Sequence, residues 1–82
     1  MNISINFSGS QRQTVKTDRI LVPISDKVRV VADLFNYIKD VYPELALNKE
    51  AVLVTVNSSV SSLDYRLNPD DEVAFMPHIG GG

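Results

Sequence analysis

Hydrophobic and polar residues alternate at the start of the chain and predict a β-strand. The segment NISINF (2–7) places two isoleucines and a phenylalanine on one face, which is typical of a half-buried strand. The segment ILVPIS (20–25) also has strand composition. Because Pro23 has no backbone N–H, we expect this second strand to lie at a sheet edge or to contain a local irregularity. The polar stretch 8–19 between the two strands predicts a turn around Gly9.

A helix is predicted next, over roughly 30–41, because apolar side chains recur there with the i, i+3, i+4, i+7 spacing of one helical face. The side chains assigned to the buried face are Val31, Leu34, Phe35, Ile38 and Val41. Pro43 disfavours helical geometry in the residue before it, so the helix should end there. Its start is left open: Val30 would be a poor N-cap, and the helix could instead begin near Ser25 or Asp26.

The second half of the chain has the composition of strands and turns. AVLVTVN (51–57) is rich in β-branched residues and predicts a strand, followed by a turn at 58–59. The mixed segment 60–67 predicts either a brief strand or a single helical turn. NPDD (68–71) combines residues that favour a tight turn, and EVAFMP (72–77) predicts the last strand.

This order of elements predicts an α+β fold in which one main helix packs across one face of a single sheet. A β-grasp (ubiquitin-like) arrangement satisfies the order, with a mixed sheet of four to five strands and the last strand parallel to the first. The last strand is then central. We therefore predict one β-grasp domain over 1–76 and a flexible tail over 77–82.

The last strand should present two different faces. Val73 and Phe75 are predicted to point inward, and Ala74 and Met76 outward. Ala74 and Met76, joined by Leu21, are candidates for an apolar surface that docks a partner. The alternative, scattered surface hydrophobic residues without a function, is left open.

The composition describes a small protein with few catalytic groups. Its 82 residues include 44% hydrophobic and 22% charged residues, which is ordinary for a globular domain. It has no cysteine and one histidine, His78, so a disulfide, a thiol nucleophile and a zinc site are disfavoured. With a net charge of −2 and scattered basic residues, nucleic acid is not expected as a direct partner.

Chemistry that needs a membrane or a carboxylate cluster is also disfavoured. No apolar run approaches the ~20 residues that cross a bilayer, and residues 1–10 do not resemble a secretory signal, so we expect a cytoplasmic protein.

The consecutive acids Asp70-Asp71-Glu72 could suggest a metal or acid/base cluster. At a predicted turn they are expected to serve turn formation and solubility.

The sequence ends in FMPHIGGG, where an apolar strand is followed by a proline and three glycines. Glycine loses the most conformational entropy on ordering, so three glycines contribute little to a packed structure. The segment suits a thin chain end with a free carboxylate. The alternative is an ordinary frayed terminus.

The last third of the chain resembles the ubiquitin-like sulfur carriers, which include the small subunit of molybdopterin synthase, the thiamine sulfur carrier and the ubiquitin-related modifiers. The shared pattern consists of Val56-Asn57, Leu67, Asp71-Glu72-Val73, Phe75, Pro77 and Gly81-Gly82. The N-terminal half agrees more loosely, through the order of elements, so the resemblance spans the whole chain but is specific only in the last third. His78 stands where this family often has a second proline, and the 8–19 segment is expected to lack the helical turn often seen in the molybdopterin group.

The resemblance implies that the Gly82 carboxylate is the functional group. An E1-like adenylyltransferase would use ATP to adenylate it, and sulfur transfer would then give a thiocarboxylate; attack by a lysine would give an isopeptide. Gly80, Gly81 and Pro77 would thread into the activating enzyme, and His78 would join Ala74 and Met76 in docking it. The protein itself would bind no cofactor and would not be an enzyme.

The resemblance leaves the pathway open. The sulfur donor would be of rhodanese or cysteine desulfurase type. The acceptor could be the large subunit of molybdopterin synthase, a tRNA-thiolating enzyme or lysines of target proteins. Gly82 could be the encoded end or could be exposed by processing. A β-grasp interaction module without an activated tail is the alternative function.

Overall fold

Five strands and two α-helices are formed by the part of the chain that the structure describes. The computed structural model describes residues 1–48 and 52–77. In chain order, the elements are β1 (Asn2–Asn6), α1 (Ser10–Val15), β2 (Arg19–Pro23), α2 (Val31–Val41), a 3₁₀ turn (Pro43–Leu45), β3 (Val52–Val56), β4 (Ser59–Val60) and β5 (Glu72–Pro77). The strands form one sheet in the order β2-β1-β5-β3-β4.

The first and last strands lie side by side in the middle of the sheet and run parallel. Ser4 pairs with Glu72, and Asn6 pairs with Ala74. The other strand pairs are antiparallel, and β2, which contains Pro23, is an edge strand. The predictions of a mixed β-grasp sheet, a central last strand and an edge position for Pro23 are confirmed.

The apolar face of α2 covers one side of this sheet. Val31, Leu34, Phe35 and Ile38 are fully buried, as their helical spacing predicts. Phe35 meets Phe75 of β5 edge to face, with ring centroids 5.9 Å apart, a favoured geometry for aromatic pairs. The helix is thereby packed directly on the central strand.

The assignment of Val41 to the buried face is wrong, since this side chain is 46% exposed. The helix ends at Val41, and Tyr42 has φ −128° and ψ 68°, outside helical geometry, as expected of a residue before proline. The Tyr42 ring then packs against Phe7, with centroids 5.9 Å apart. The chain therefore closes this end of the core with Tyr42 instead of Val41.

Val30 is the N-cap of α2, although valine has no side-chain acceptor for the first turn. Backbone carbonyls of a distant segment accept the first-turn N–H groups instead: Val31 donates to Tyr65 at 3.0 Å and Ala32 to Leu63 at 2.8 Å. Asp33 Oδ2 accepts the backbone N–H groups just before the helix, from Val30 at 3.1 Å and from Arg29 at 3.0 Å. Ser25 and Val28 exchange backbone hydrogen bonds in a tight turn, so the alternative start near Ser25 is wrong. A carboxylate in the first turn also interacts favourably with the helix dipole.

We predict that Asp33 makes the stability of the fold depend on acidic pH. The hydrogen bonds from the Arg29 and Val30 backbone N–H groups lower the pKa of Asp33 below its usual value. A carboxyl whose pKa is lowered by folding stabilises the protein above its unfolded-state pKa of about 3.9, and this contribution is lost as the pH falls through the folded-state value. The difference in urea midpoint between wild type and Asp33→Ala should therefore shrink between pH 7 and pH 2.5.

The control for this prediction is Asp40→Ala in the last turn of the same helix. At the negative end of the helix dipole, loss of this carboxylate should leave the urea midpoint at pH 7 unchanged or raise it. A midpoint difference between wild type and Asp33→Ala that stays constant from pH 7 to pH 2.5 would contradict the prediction.

The segment between β1 and β2 contains a short helix, so the expectation that it lacks a helical turn is wrong. α1 spans Ser10–Val15 and buries Val15. Gly9 precedes the helix at φ 55°, and Lys16 ends it at φ 67°, both in the left-handed region that glycine adopts readily. With one buried side chain, α1 has no apolar stripe by which its sequence could be identified.

The β3–β4 hairpin turns one residue earlier than predicted. Asn57 and Ser58 both have positive φ, at 52° and 73°, as in the two-residue type I′ turn that matches strand twist. Ser59 already belongs to β4, not to the turn predicted at 58–59. Of the mixed segment 60–67, only Val60 lies in a strand; the Tyr65 N–H closes a turn on the Ser62 carbonyl at 3.3 Å, and Arg66 forms an isolated bridge with Val30. Neither a brief strand nor a helical turn describes the whole segment.

The acidic run before β5 serves turn formation, as predicted. Asp71 is buried, and its carboxylate accepts hydrogen bonds from the Asn68 backbone N–H at 2.8 Å and Asn57 Nδ2 at 2.9 Å, with a longer one from the Tyr65 hydroxyl at 3.3 Å. Asn57 Oδ1 accepts the backbone N–H of Glu72 at 3.0 Å. These bonds tie the β3–β4 hairpin to the beginning of the central strand.

Candidate functional site

The sheet face that points away from α2 carries an apolar patch near the end of β5. Met76 is 44% exposed and lies opposite Leu53, which is 37% exposed. Ala74 is the preceding outward residue of β5, and it lies opposite Thr55. Thr55 of β3 lies between Ala74 of β5 and Val60 of β4, since it pairs with both. Since directly paired residues share a face, Leu53, Val60, Ala74 and Met76 form one surface, the outer patch.

The outward orientation predicted for Ala74 and Met76 is confirmed, but Leu21 does not join them. Leu21 lies opposite Ser4 of β1, so β1 separates it from the outer patch. Leu53 and Val60 were missed in the sequence. Strict alternation along VLVTV would have placed Leu53 outward, whereas β4 is too short for its facing to be read from a pattern.

The other half of the same face, toward the start of β5, is polar. A depression of about 320 Å³ is lined by Asn6, Thr55, Asn57, Ser58, Glu72 and Ala74. Within it, Asn6 Nδ2 donates to Glu72 Oε1 at 3.3 Å. The face is therefore apolar near the end of β5 and polar near its beginning, which gives a docked partner one preferred orientation.

The described part of the chain stops at the root of the predicted tail. Pro77 is the last residue of β5 and lies opposite Val52 of β3. His78, Gly80, Gly81 and Gly82 lie outside the described residues, so their predicted roles in docking, threading and activation stay predictions. The same holds for the boundary between the domain and the tail. The site that the structure defines is the sheet end from which the tail begins.

Within residues 1–48 and 52–77, no three histidine, cysteine, aspartate or glutamate residues are grouped closely enough to hold a metal ion. None of the described helices is long and apolar enough to cross a membrane. The described residues therefore offer an apolar surface suited to contact with another molecule, the outer patch.

The sheet order and the parallel, central last strand define a β-grasp protein of the ubiquitin-like class, and solved structures share this fold. The small archaeal modifier protein SAMP1 of Haloferax volcanii superposes with a TM-score of 0.78 at 16% identity, covering 100% of both chains. Urm1 of Trypanosoma brucei does so with a TM-score of 0.70 at 24% identity, covering 99% of this chain and 95% of its own. At these identities the likeness concerns the fold.

The chain belongs to the ThiS family, which its sequence matches over residues 5–82. A curated relative, the molybdopterin synthase sulfur carrier subunit of Mycobacterium tuberculosis, is 28% identical over 83 aligned positions, covering 100% of this chain and 99% of the relative. A further structural neighbour is a chain in the complex of subunits 1 and 2 of the molybdopterin-converting factor of Helicobacter pylori. It has a TM-score of 0.67 at 17% identity, and the match covers 100% of both chains.

Proposed function

We propose that this protein is a sulfur carrier whose Gly82 carboxylate, at the end of the mature chain, is adenylated and then converted to a thiocarboxylate. The observation that carries the proposal is the family match, which extends through Gly82, on a fold whose central strand ends at Pro77, where the predicted tail begins. The protein would be the substrate of these steps and not their catalyst. We place the reaction in the cytoplasm, as its sequence suggests.

The chemistry needs an activating partner, because a C-terminal carboxyl with a pKa of about 3.3–3.7 is ionised and a poor electrophile at neutral pH. An E1-like adenylyltransferase would let the carboxylate attack the α-phosphate of ATP and release pyrophosphate. A persulfide on a rhodanese or cysteine desulfurase type donor would attack the acyl carbon and expel AMP. A second thiol would cleave the resulting acyl disulfide and leave the sulfur on Gly82.

The site supports the delivery step physically. The six residues from Pro77 to Gly82 can span about 20 Å when extended, at ~3.3–3.6 Å each, which reaches from the sheet end into a buried nucleotide pocket. Gly80 and Gly81 have no Cβ, so a narrow channel can close around the backbone and exclude water. The outer patch begins at the tail root, so a partner that binds the patch is placed beside the tail.

We predict that Met76→Asp weakens binding to the adenylyltransferase at least about tenfold. The substitution places a charge among the apolar side chains of the outer patch. Charged groups are depleted from interface cores because desolvating them is costly. Met76 is 44% exposed, so the fold should tolerate it. Calorimetric titration of the enzyme with each variant, without ATP, measures the effect.

The matched control is Tyr37→Asp, because Tyr37 is comparably exposed at 38% but lies on α2, on the other side of the molecule. It should bind like wild type. Docking through the outer patch would be contradicted if both substitutions weakened binding to the adenylyltransferase equally, or if Met76→Asp did not weaken it.

The acceptor of the sulfur is proposed from the curated relative, which favours the large subunit of molybdopterin synthase. Two other acceptors implied by the sequence resemblance remain alternatives: a tRNA-thiolating enzyme and lysines of target proteins. These three acceptors require the same activated Gly82, so they differ only after the adenylation step.

The experiment that tests the proposal is an intact mass of the protein purified from its own host, with a blot for species of higher mass. Replacement of one oxygen by sulfur, reversed by a thiol-reactive alkylator, would support the thiocarboxylate. Adducts joined through Gly82 would instead support protein modification. An unmodified acid, even after incubation with the adenylyltransferase, a sulfur donor and ATP, would leave a plain interaction module as the function.

A further inference from the structure

The pairing of the two central strands ends before β5 does. Their register runs from Ser4 opposite Glu72 to Asn6 opposite Ala74, and the chain then leaves β1 toward α1. The Ser4 backbone N–H donates to the carbonyl of Asp71 at 2.9 Å. Because carbonyls alternate sides along a strand, those of Val73 and Phe75 also point toward β1. Because β1 ends at Asn6, it has no further N–H group to donate to the Phe75 carbonyl.

A side chain of α1 takes up this carbonyl. Gln11 Nε2 donates to the backbone oxygen of Phe75 at 2.9 Å in a part-buried position. The other end of the same amide accepts the backbone N–H of Ser8, at a longer 3.4 Å. In a continued parallel ladder, the Ser8 N–H would itself be the next donor to Phe75. The Gln11 amide is therefore inserted between the two groups and replaces one rung of the ladder.

Among the described residues, this contact is the last one that holds β5 from the β1 side. Pro77 follows two residues later, and it has no N–H to donate to either neighbour. Within residues 1–48 and 52–77, the strand pairing of β5 beyond Phe75 is with β3 alone, through Met76 opposite Leu53 and Pro77 opposite Val52. A strand held on one side can swing away from its sheet more easily than a strand held on both.

We propose that Gln11 is a positioning residue for the tail: by holding Phe75 from the side opposite β3, it fixes the direction in which Gly82 is delivered. This inference rests on the proposed function for its consequence in adenylation, but not for the contact itself. Gln11 would contribute to the rate at which docked protein reacts, because a tail that starts in the right direction needs less search for the productive geometry. It would not contribute to docking, which uses the outer patch.

The test compares Gln11→Met with wild type, because methionine matches glutamine in length and lacks the amide donor. Gln13→Met is the matched control, a glutamine of the same helix whose side chain is exposed. Two quantities are measured: amide hydrogen exchange at Phe75 and Met76, and the KM and kcat of adenylation by the adenylyltransferase of the same organism, followed as ATP–pyrophosphate exchange.

We expect Gln11→Met to speed exchange at Phe75 and Met76 roughly three- to tenfold, the range expected for one lost neutral hydrogen bond. We expect kcat to fall by a similar factor with KM within about twofold of wild type, since the fraction of docked protein with a productive tail is reduced. Gln13→Met should match wild type in both. Exchange at Ile3 and Ile5, whose amides face β2, should stay unchanged, which checks that β1 remains paired with β2.

Unchanged exchange in Gln11→Met, or a raised KM with unchanged kcat, would overturn the inference; the second result would mean that Gln11 contacts the enzyme. If wild type itself is not adenylated, the proposed function fails and the role in adenylation fails with it. The exchange rates then still decide whether Gln11 holds the end of β5.

Discussion

Removal of Gly82 should reduce adenylation by at least about a hundredfold while leaving the fold and the docking face intact. The shortened chain still ends in a glycine carboxylate, so its chemistry is unchanged. Its reactive group is displaced by one residue, ~3.3–3.6 Å along an extended chain. A misplacement of about 1 Å is enough to cost a hundredfold in rate when reacting groups must be aligned. ATP–pyrophosphate exchange with the adenylyltransferase measures the loss.

The shortened chain also provides its own control. Because the outer patch is untouched, the variant should inhibit adenylation of the full-length protein by competing for the same enzyme, with an inhibition constant close to the wild-type Kd. A second variant, Ile79→Ala, keeps the tail length and should retain most of the activity. Adenylation of the shortened chain at the wild-type rate would sink the central claim about Gly82.

Phe75→Ala should destabilise the domain by about 3–5 kcal/mol, the range for truncating a buried aromatic residue. Phe75 is 1% exposed, in the middle of the core, and its ring meets Phe35 of α2 with centroids 5.9 Å apart. The substitution leaves a cavity between the central strand and the helix and removes the aromatic contact. In a domain of 82 residues, this is a large fraction of the total stability.

Met76→Ala is the comparison for Phe75→Ala, because it removes a large side chain from the adjacent position of the same strand. Met76 faces outward, so its loss should change stability by less than about 1 kcal/mol. Urea unfolding followed by circular dichroism gives both values; if Phe75→Ala leaves no folded baseline, Phe75→Leu should show a smaller loss in the same direction. Equal losses at the two positions would contradict the facing of β5.

The elements that could be predicted are those in which one residue pattern recurs over several positions. β1 alternates over its full length, and α2 repeats its apolar positions from Val31 to Ile38 with helical spacing. The turn at 68–71 contains Pro69, and Asp70 takes a φ of 69°, a conformation that aspartate tolerates better than most residues. In each case the local preference and the packed structure agree, which is what makes a sequence pattern informative.

The features that could not be predicted depend on contacts between distant parts of the chain. α1 offers one buried side chain, and its Gln11 bonds to Phe75, 64 positions away. The first-turn N–H groups of α2 donate to the carbonyls of Leu63 and Tyr65, which a residue-by-residue reading of cap preference does not anticipate. Val41 continues the helical spacing, yet the chain turns at Tyr42 before this side chain meets the core.

The candidate site could be predicted only in part, because some of its residues belong to one repeating pattern and others are brought in from another strand. Met76 and Ala74 follow from alternation in β5, but their neighbours Leu53 and Val60 follow only from strand order and register. The strand order places β3 beside β5, so that Leu53 faces Met76. The glycine tail was identified from its residue types. The structure adds the place where the predicted tail begins, at Pro77 in the last position of β5.

The parallel pairing of β1 with β5 has a consequence for the synthesis of the protein. β5, the middle strand of the sheet, is the last of the described strands to be synthesised. β1 is synthesised first and can pair with β5 only after nearly the whole chain has been made. Such long-range pairing is slow to form, and it cannot begin early. An unfinished chain therefore presents neither a closed core nor the complete outer patch, since Ala74 and Met76 belong to the missing strand. An activating enzyme that selects its substrate by this face would act only on completed molecules.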